Sequence, residues 1–155
     1  EYRILIPSPK VATYDLKPEM SADKVTQAYL NELKNTKPDF ICLNYANPDM
    51  VGHTGDFNAV TKAIEKIDDC LKQIVEASIK EGYALIIIAD HGNAEMMINR
   101  DGTPNTAHTT NKVPCFILNT DYKYIQTGSL CDIAPTILKV MNMEQPTEMD
   151  GRSII

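Results

Sequence analysis

The sequence predicts an α/β fold, a mainly parallel sheet flanked by helices. Short apolar runs at residues 40–43, 83–89 and 113–118 have strand length. Segments at 22–33, 56–81 and 133–141 carry apolar residues every three or four positions, the mark of helices with one buried face. Strands separated by helices predict parallel pairing. A chain of 155 residues, 43% of them hydrophobic, is long enough to bury a core.

In chain order, Ser21 is a good N-cap for the first helix, whose stripe is Ala22, Val25, Tyr29 and Leu33, and Lys37-Pro38-Asp39 breaks it. Residues 40–43 are rich in strand formers and read as a buried strand. A loop over 44–55 leads to the longest helix, 56–81, with Phe57, Val60, Ile64, Ile67, Leu71 and Ile74 on one face and Gly82 as its stop. Residues 83–89, with three consecutive isoleucines, predict a strand buried on both faces. A loop rich in Asn, Gly, Pro and Thr covers 101–112 and precedes the third strand at 113–118. Ser129 and Asp132 have the spacing of a capping box, with Asp in place of Glu, and open the last helix at 133–141. Residues 144–150 read as a solvated acidic loop. The sequence carries no internal repeat and reads as one domain.

Fifteen Lys and Arg against 21 Asp and Glu give a formal net charge of −6, without the basic stripe of a nucleic-acid binder. An anionic substrate would therefore need a few placed positive groups or bound metal. No apolar run approaches the ~20 residues of a membrane span, and the N-terminal Glu-Tyr-Arg does not resemble a signal peptide. The missing initiator Met reads as a chain processed or cut from something longer. Cys42, Cys70, Cys115 and Cys131 are widely spaced among apolar residues and are expected to be inert thiols of a cytoplasmic protein.

In open α/β sheets, ligand groups gather beyond the carboxyl ends of the strands. Three clusters fall there: Asp49-Met50-Val51-Gly52-His53, Asp90-His91-Gly92-Asn93 and Thr106-Ala107-His108-Thr109-Thr110. The chain has three histidines, and each cluster holds one. Singly, His53 or His108 would be an unremarkable loop histidine, and Asp49 could merely cap a turn. Together with Asp90-His91 at a strand end, they point to a divalent cation such as Mn²⁺ or Zn²⁺. Two carboxylates and three imidazoles exceed the needs of one zinc site, so a pair of ions that clamps a phosphoryl or hydrolytic displacement is the natural reading. The five serines include no G-x-S-x-G elbow, and no Gly-rich loop could cradle phosphate. Ser8-Pro9-Lys10 and Arg100-Asp101-Gly102 read as ordinary turns.

At these clusters the sequence resembles the cofactor-independent phosphoglycerate mutases of the alkaline-phosphatase superfamily. The matching segments are PSPKVATYDLKPEMSA, NYANPDMVGHTG, ADHGNAE and TAHTTNKVP, followed by CDIAPTILKVMN and MDGRSII, in order along essentially the whole chain. The resemblance implies an alkaline-phosphatase-like fold, present here incompletely. It implies interconversion of 3-phosphoglycerate and 2-phosphoglycerate in glycolysis and gluconeogenesis, by way of a phosphoserine and two Mn²⁺ ions, with Zn²⁺ or another divalent ion as alternatives. Carried over by motif, Asp49, His53 and His108 bind one ion, while Asp90 and His91 contribute to the other.

Family members are longer. Their serine nucleophile, a further metal-binding Asp, an assisting basic residue and an inserted substrate domain have no counterpart in this sequence. Residues 1–155 thus resemble the C-terminal portion of the phosphatase-like metal-binding domain. The chain alone is expected to be inactive, to expose an unpaired sheet edge or apolar face, and to bind its missing N-terminal part or dimerise. Another superfamily member, such as a phosphopentomutase or a phosphatase, is the enzymatic alternative. A non-catalytic metal-binding module is the other. The expected partner is a small phosphoglycerate, with neither nucleic acid nor membrane.

Overall fold

A computed structural model describes every residue from 1 to 155. The chain folds as two compact units, one of residues 1–81 and 91–112, the other of residues 82–90 and 113–155. No helix is long and apolar enough to cross a membrane.

The first unit is helical. Its elements are α1 (Ala22–Asn35), α2 (Asn47–Gly52) and α3 (Phe57–Lys80), with α1 and α2 both packed on α3. Alpha3 starts where the Asp56 carboxylate accepts the Ala59 N–H at 2.8 Å, and a left-handed Gly82 follows its end. Its buried face is Ala59, Val60, Ala63, Ile67, Cys70, Ile74 and Ser78. Small residues interleave with the branched ones, which lets the neighbouring helices approach. Phe57 and Ile64 of the expected stripe are instead exposed. One core cluster joins Met20, Val51, Ala59, Val60, Ala63 and Met97, and a second joins Ala22, Ile67 and Cys70. Each fully buried Val, Leu or Ile contributes about 1.5–3 kcal/mol. Two buried hydroxyls between the helices are paired: Thr26 Oγ1 with the Tyr45 hydroxyl and Ser78 Oγ with the Tyr29 hydroxyl, each at 2.6 Å. Ser21 precedes α1 as expected, but its hydroxyl donates to the Pro7 carbonyl at 2.7 Å instead of capping the helix.

Residues 40–43 form no strand, and Phe40 is 52% exposed. A short apolar run becomes a strand only when a neighbour pairs its N–H and C=O groups, and no ladder includes these residues.

The second unit holds the sheet. The strands β1 (Leu85–Ile88) and β2 (Cys115–Leu118) pair antiparallel, with Leu85 opposite Leu118 and Ile88 opposite Cys115. The expected mainly parallel sheet is therefore incorrect: the fold is mixed α/β, with a two-stranded antiparallel sheet. Parallel neighbours need a crossover, usually a helix. Residues 89–114 contain no helix, so β2 returns against β1. Only Leu85 of β1 is buried, and Ile88 is exposed, contrary to burial on both faces. Beyond β2, a 3-10 turn (Leu130–Asp132) leads into α4 (Ile133–Val140). The capping box forms as expected: the Ser129 N–H donates to Asp132 Oδ2 at 2.8 Å. Asp132 Oδ1 also accepts the Arg152 N–H at 2.9 Å, and Thr136 Oγ1 accepts the Ile154 N–H at 3.1 Å. These bonds clasp the C-terminal segment to α4. Gly151 lies so close to the Cys131 carbonyl that a side chain there would overlap it. Cys70 is buried and Cys115 half-buried, whereas Cys42 and Cys131 are exposed despite their apolar neighbours in sequence.

Candidate metal centre

The loop expected at residues 44–55 contains α2, and that helix organises the site. Pro48 sits in its first turn, where a missing N–H costs nothing and the fixed φ suits a helix start. Asn47 is anchored by its amide, which donates to the Pro18 carbonyl at 2.8 Å. Asp49 then lies in the first turn and His53 at the C-cap, four residues apart and so on one face. The Asn-Pro pair could have signalled this helix, but it reads equally well as a turn.

The other two histidines come from residues 91–112, which fold back on themselves. The Thr109 N–H donates to the Gly92 carbonyl at 2.9 Å, and the Asn105 N–H to the Met97 carbonyl at 2.8 Å. A turn at residues 100–102 reverses the chain, with Gly102 at φ 85°. Asp101 accepts the Thr103 N–H at 3.0 Å there, so this segment is the ordinary turn expected. The fold-back sets His91 beside His108, with stacked rings 3.8 Å apart.

Four candidate ligands converge within the first unit. Asp49 Oδ1 lies 2.9 Å from His108 Nε2, 3.1 Å from His53 Nε2 and 3.9 Å from His91 Nε2. The Nε2 atoms of His53 and His108 are 3.1 Å apart. The ligand atoms of Asp49, His91 and His108 all lie within 4.8 Å of one another. Donors held about 2.1 Å from one ion stand about 3.0–3.4 Å from each other. The triangle of Asp49, His53 and His108 has that size, and the mix of one carboxylate with imidazoles suits Mn²⁺ or Zn²⁺. The residues therefore fit a divalent ion.

Hydrogen bonds set the tautomers. His53 Nδ1 is 2.7 Å from the Thr106 carbonyl, an acceptor only, so Nδ1 carries the proton and Nε2 of the neutral ring presents its lone pair. His91 Nδ1 faces the Gly92 carbonyl at 3.3 Å, with the same consequence. His108 Nε2 donates to Asp49, and a metal ion would displace that proton. Burial alone would raise the Asp49 carboxyl. The hydrogen bond from Asn93 and the proximity of His53 and His108 outweigh it and hold the group below its ordinary value.

Asp90 precedes His91 in sequence and belongs to the second unit. Two residues not singled out from the sequence support the cluster. Asn93, buried, donates its amide to Asp49 Oδ1 at 2.9 Å. Glu95 accepts the Asn93 N–H at 2.6 Å, the Asn111 amide at 2.9 Å and the Thr109 hydroxyl. The only available signal was their place in the same short run as His91.

Residues 1–145 match the metalloenzyme superfamily. The chain is 52% identical over 156 residues to the 2,3-bisphosphoglycerate-independent phosphoglycerate mutase of Bacteroides thetaiotaomicron. It is 54% identical over 155 residues to that of Flavobacterium johnsoniae. Both alignments cover 100% of this chain and 31% of the relative. A crystal structure of Leishmania mexicana phosphoglycerate mutase at low cobalt concentration matches with a TM-score of 0.86 and 28% identity, over 97% of this chain and 31% of that one. The chain thus spans less than a third of the length of these relatives.

Proposed function

This chain belongs to the metalloenzyme superfamily, and we propose that it is the metal-binding part of a longer protein that interconverts 3-phosphoglycerate and 2-phosphoglycerate. Its likeness to the bacterial mutases supports the substrate class. The observation that carries the reading is the triangle of Asp49, His53 and His108, whose edges are those of ligands around one ion.

In this reading Asp49, His53 and His108 hold one divalent ion. His91 contributes to a second, and Asp90 joins it on the strength of its motif. We take the ions to be Mn²⁺. When bound, they supply positive charge against the oxygens of a transferring phosphoryl group, the main demand of that reaction. The chain's own residues orient those ligands: Asn93 aims the Asp49 carboxylate, and the Thr106 carbonyl fixes the His53 ring. The chain itself carries charge −6, so an anionic phosphoglycerate needs this local positive field.

The nucleophile comes from elsewhere in the longer protein. Of the five serines, Ser8 is exposed in the N-terminal segment, Ser21 donates to the Pro7 carbonyl, Ser78 lies between Ile74 and Tyr29, Ser129 caps the 3-10 turn before the last helix, and Ser153 contacts Ile155. The isolated chain is therefore expected to bind metal without isomerising phosphoglycerate. Calorimetric titration of the metal-free, full-length protein with Mn²⁺, with an isomerisation assay, tests the reading. His108→Ala should lose the tighter ion and at least 100-fold in activity, an estimate on the order of the loss when a catalytic charge stabiliser goes. Unchanged Mn²⁺ binding in both His108→Ala and Asp49→Ala would refute it.

A further inference from the structure

Glu95 is an exposed residue whose carboxylate nevertheless turns into the fold-back of residues 91–112. One oxygen accepts the backbone N–H of Asn93 at 2.6 Å. The other accepts the hydroxyl of Thr109 and the side-chain amide of Asn111 at 2.9 Å. The carboxylate therefore bridges the two arms of the fold-back, touching the residue two after His91 and the residue one after His108. The space it occupies exists because position 92 has no side chain: a Cβ on Gly92 would lie 2.5 Å from Glu95 Oε1 and would overlap Thr109 Oγ1. The arms are also joined by the Thr109 N–H to the Gly92 carbonyl at 2.9 Å. Nearer the turn the Asn105 N–H to Met97 carbonyl and Asn99 N–H to Thr103 carbonyl bonds join the arms as well, but beside His91 and His108 the Thr109–Gly92 bond is the one backbone link, and the carboxylate adds two more points of attachment there, at Thr109 and Asn111.

Resting on the metal reading above, we infer that Glu95 is a positioning residue: it locks the arms that carry His91 and His108 in one register and so presets the ligand geometry. It also fixes the backbone of Asn93, whose side chain aims Asp49. A ligand support of this kind typically accounts for about 10- to 100-fold in metal affinity. Glutamine at position 95 keeps the size of the side chain but turns one acceptor oxygen into a donor. It must then set its amide nitrogen against the Asn93 N–H, a donor only, or force Thr109 and Asn111 to turn round and accept, and in either case the bonds to a charged carboxylate are lost.

The test is calorimetric titration of the metal-free, full-length protein with Mn²⁺, with the electron paramagnetic resonance spectrum of the bound ion as a second readout. Glu95→Gln should bind Mn²⁺ about 10- to 100-fold more weakly and regain the wild-type spectrum at saturating Mn²⁺. Asn111→Ala removes one of the three bonds and should weaken binding less, by at least threefold, about what a modest net hydrogen bond gives. It decides the matter if Glu95→Gln fails to fold. His108→Ala on the same protein is the reference for a lost ligand. Binding by folded Glu95→Gln, or by Asn111→Ala if the former fails to fold, within twofold of wild type while His108→Ala is impaired would overturn the role of Glu95 and leave the metal reading standing. Equal binding by wild type and His108→Ala would overturn both.

Discussion

Replacing Gly52 by alanine sets two effects against each other at the centre of the site. Gly52 ends α2, between Asp49 and His53, and an added Cβ would lie 2.8 Å from Asn93 Cγ and overlap its Oδ1. Carbon atoms settle at about 3.5–4.0 Å, so Asn93 must withdraw by about 0.7–1.2 Å. It has little room, being 5% exposed with an amide oxygen that is already buried without a partner. A withdrawal of that size carries its 2.9 Å bond to Asp49 past the hydrogen-bond limit of about 3.5 Å. Losing an amide bond to a carboxylate costs about 1.5–3 kcal/mol. Alanine's helix preference returns at most about 1 kcal/mol. The net expectation is a loss of about 0.5–2 kcal/mol in urea unfolding of the metal-free protein. Mn²⁺ affinity by calorimetry should fall about tenfold, because Asp49 loses its guide. A Gly52→Ala protein that is more stable and binds Mn²⁺ as tightly as wild type would show that the support of Asp49 is plastic, and the steric argument would fail.

Leu33 on α1 is 2% exposed, and Leu33→Ala should cost about 3–5 kcal/mol in denaturant unfolding, while Ile79→Ala at an exposed position should cost less than about 1. Gly82 has φ 82° and open space around it, so Gly82→Ala should lose about 1–2 kcal/mol through backbone strain alone, and Gly82→Asn less. The N–H groups of Arg152 and Ser129 hold the Asp132 carboxyl below its ordinary value near 3.8. Its contribution is complete above that pH and is lost as pH falls through the lower, folded value. Thermal unfolding should show this acid-side loss in wild type and a weaker pH dependence in Asp132→Asn.

The three longer helices were legible in the sequence because each carries its own hydrogen bonds over enough turns to show an apolar period, which the six residues of α2 do not. The apolar period and the stop residues placed α1, α3 and α4 within two residues of their observed ends. The Ser129–Asp132 box could be read for the same reason: both partners lie within one turn. Sheet pairing could not, because β1 and β2 are separated by residues 89–114 and alternation does not encode the direction of return. Residues 40–43 have strand composition but no paired neighbour, which composition cannot report. At the site, Asp49, His53, His91 and His108 stood out by residue type, and the structure brings their side chains together. Asn93 and Glu95 did not, since a supporting amide or carboxylate looks like any other until its partners are placed.

The imidazoles of His53 and His108 are 42% and 48% exposed. In this chain by itself solvent thus reaches the two rings, and an ion can leave or enter without any of its elements opening. Occupancy is then governed by supply. Nickel, copper and zinc bind such nitrogen and oxygen sets more tightly than manganese. Traces of them in a column resin or buffer would replace the native ion during purification. A preparation's metal content would then record its last bath rather than its cell of origin.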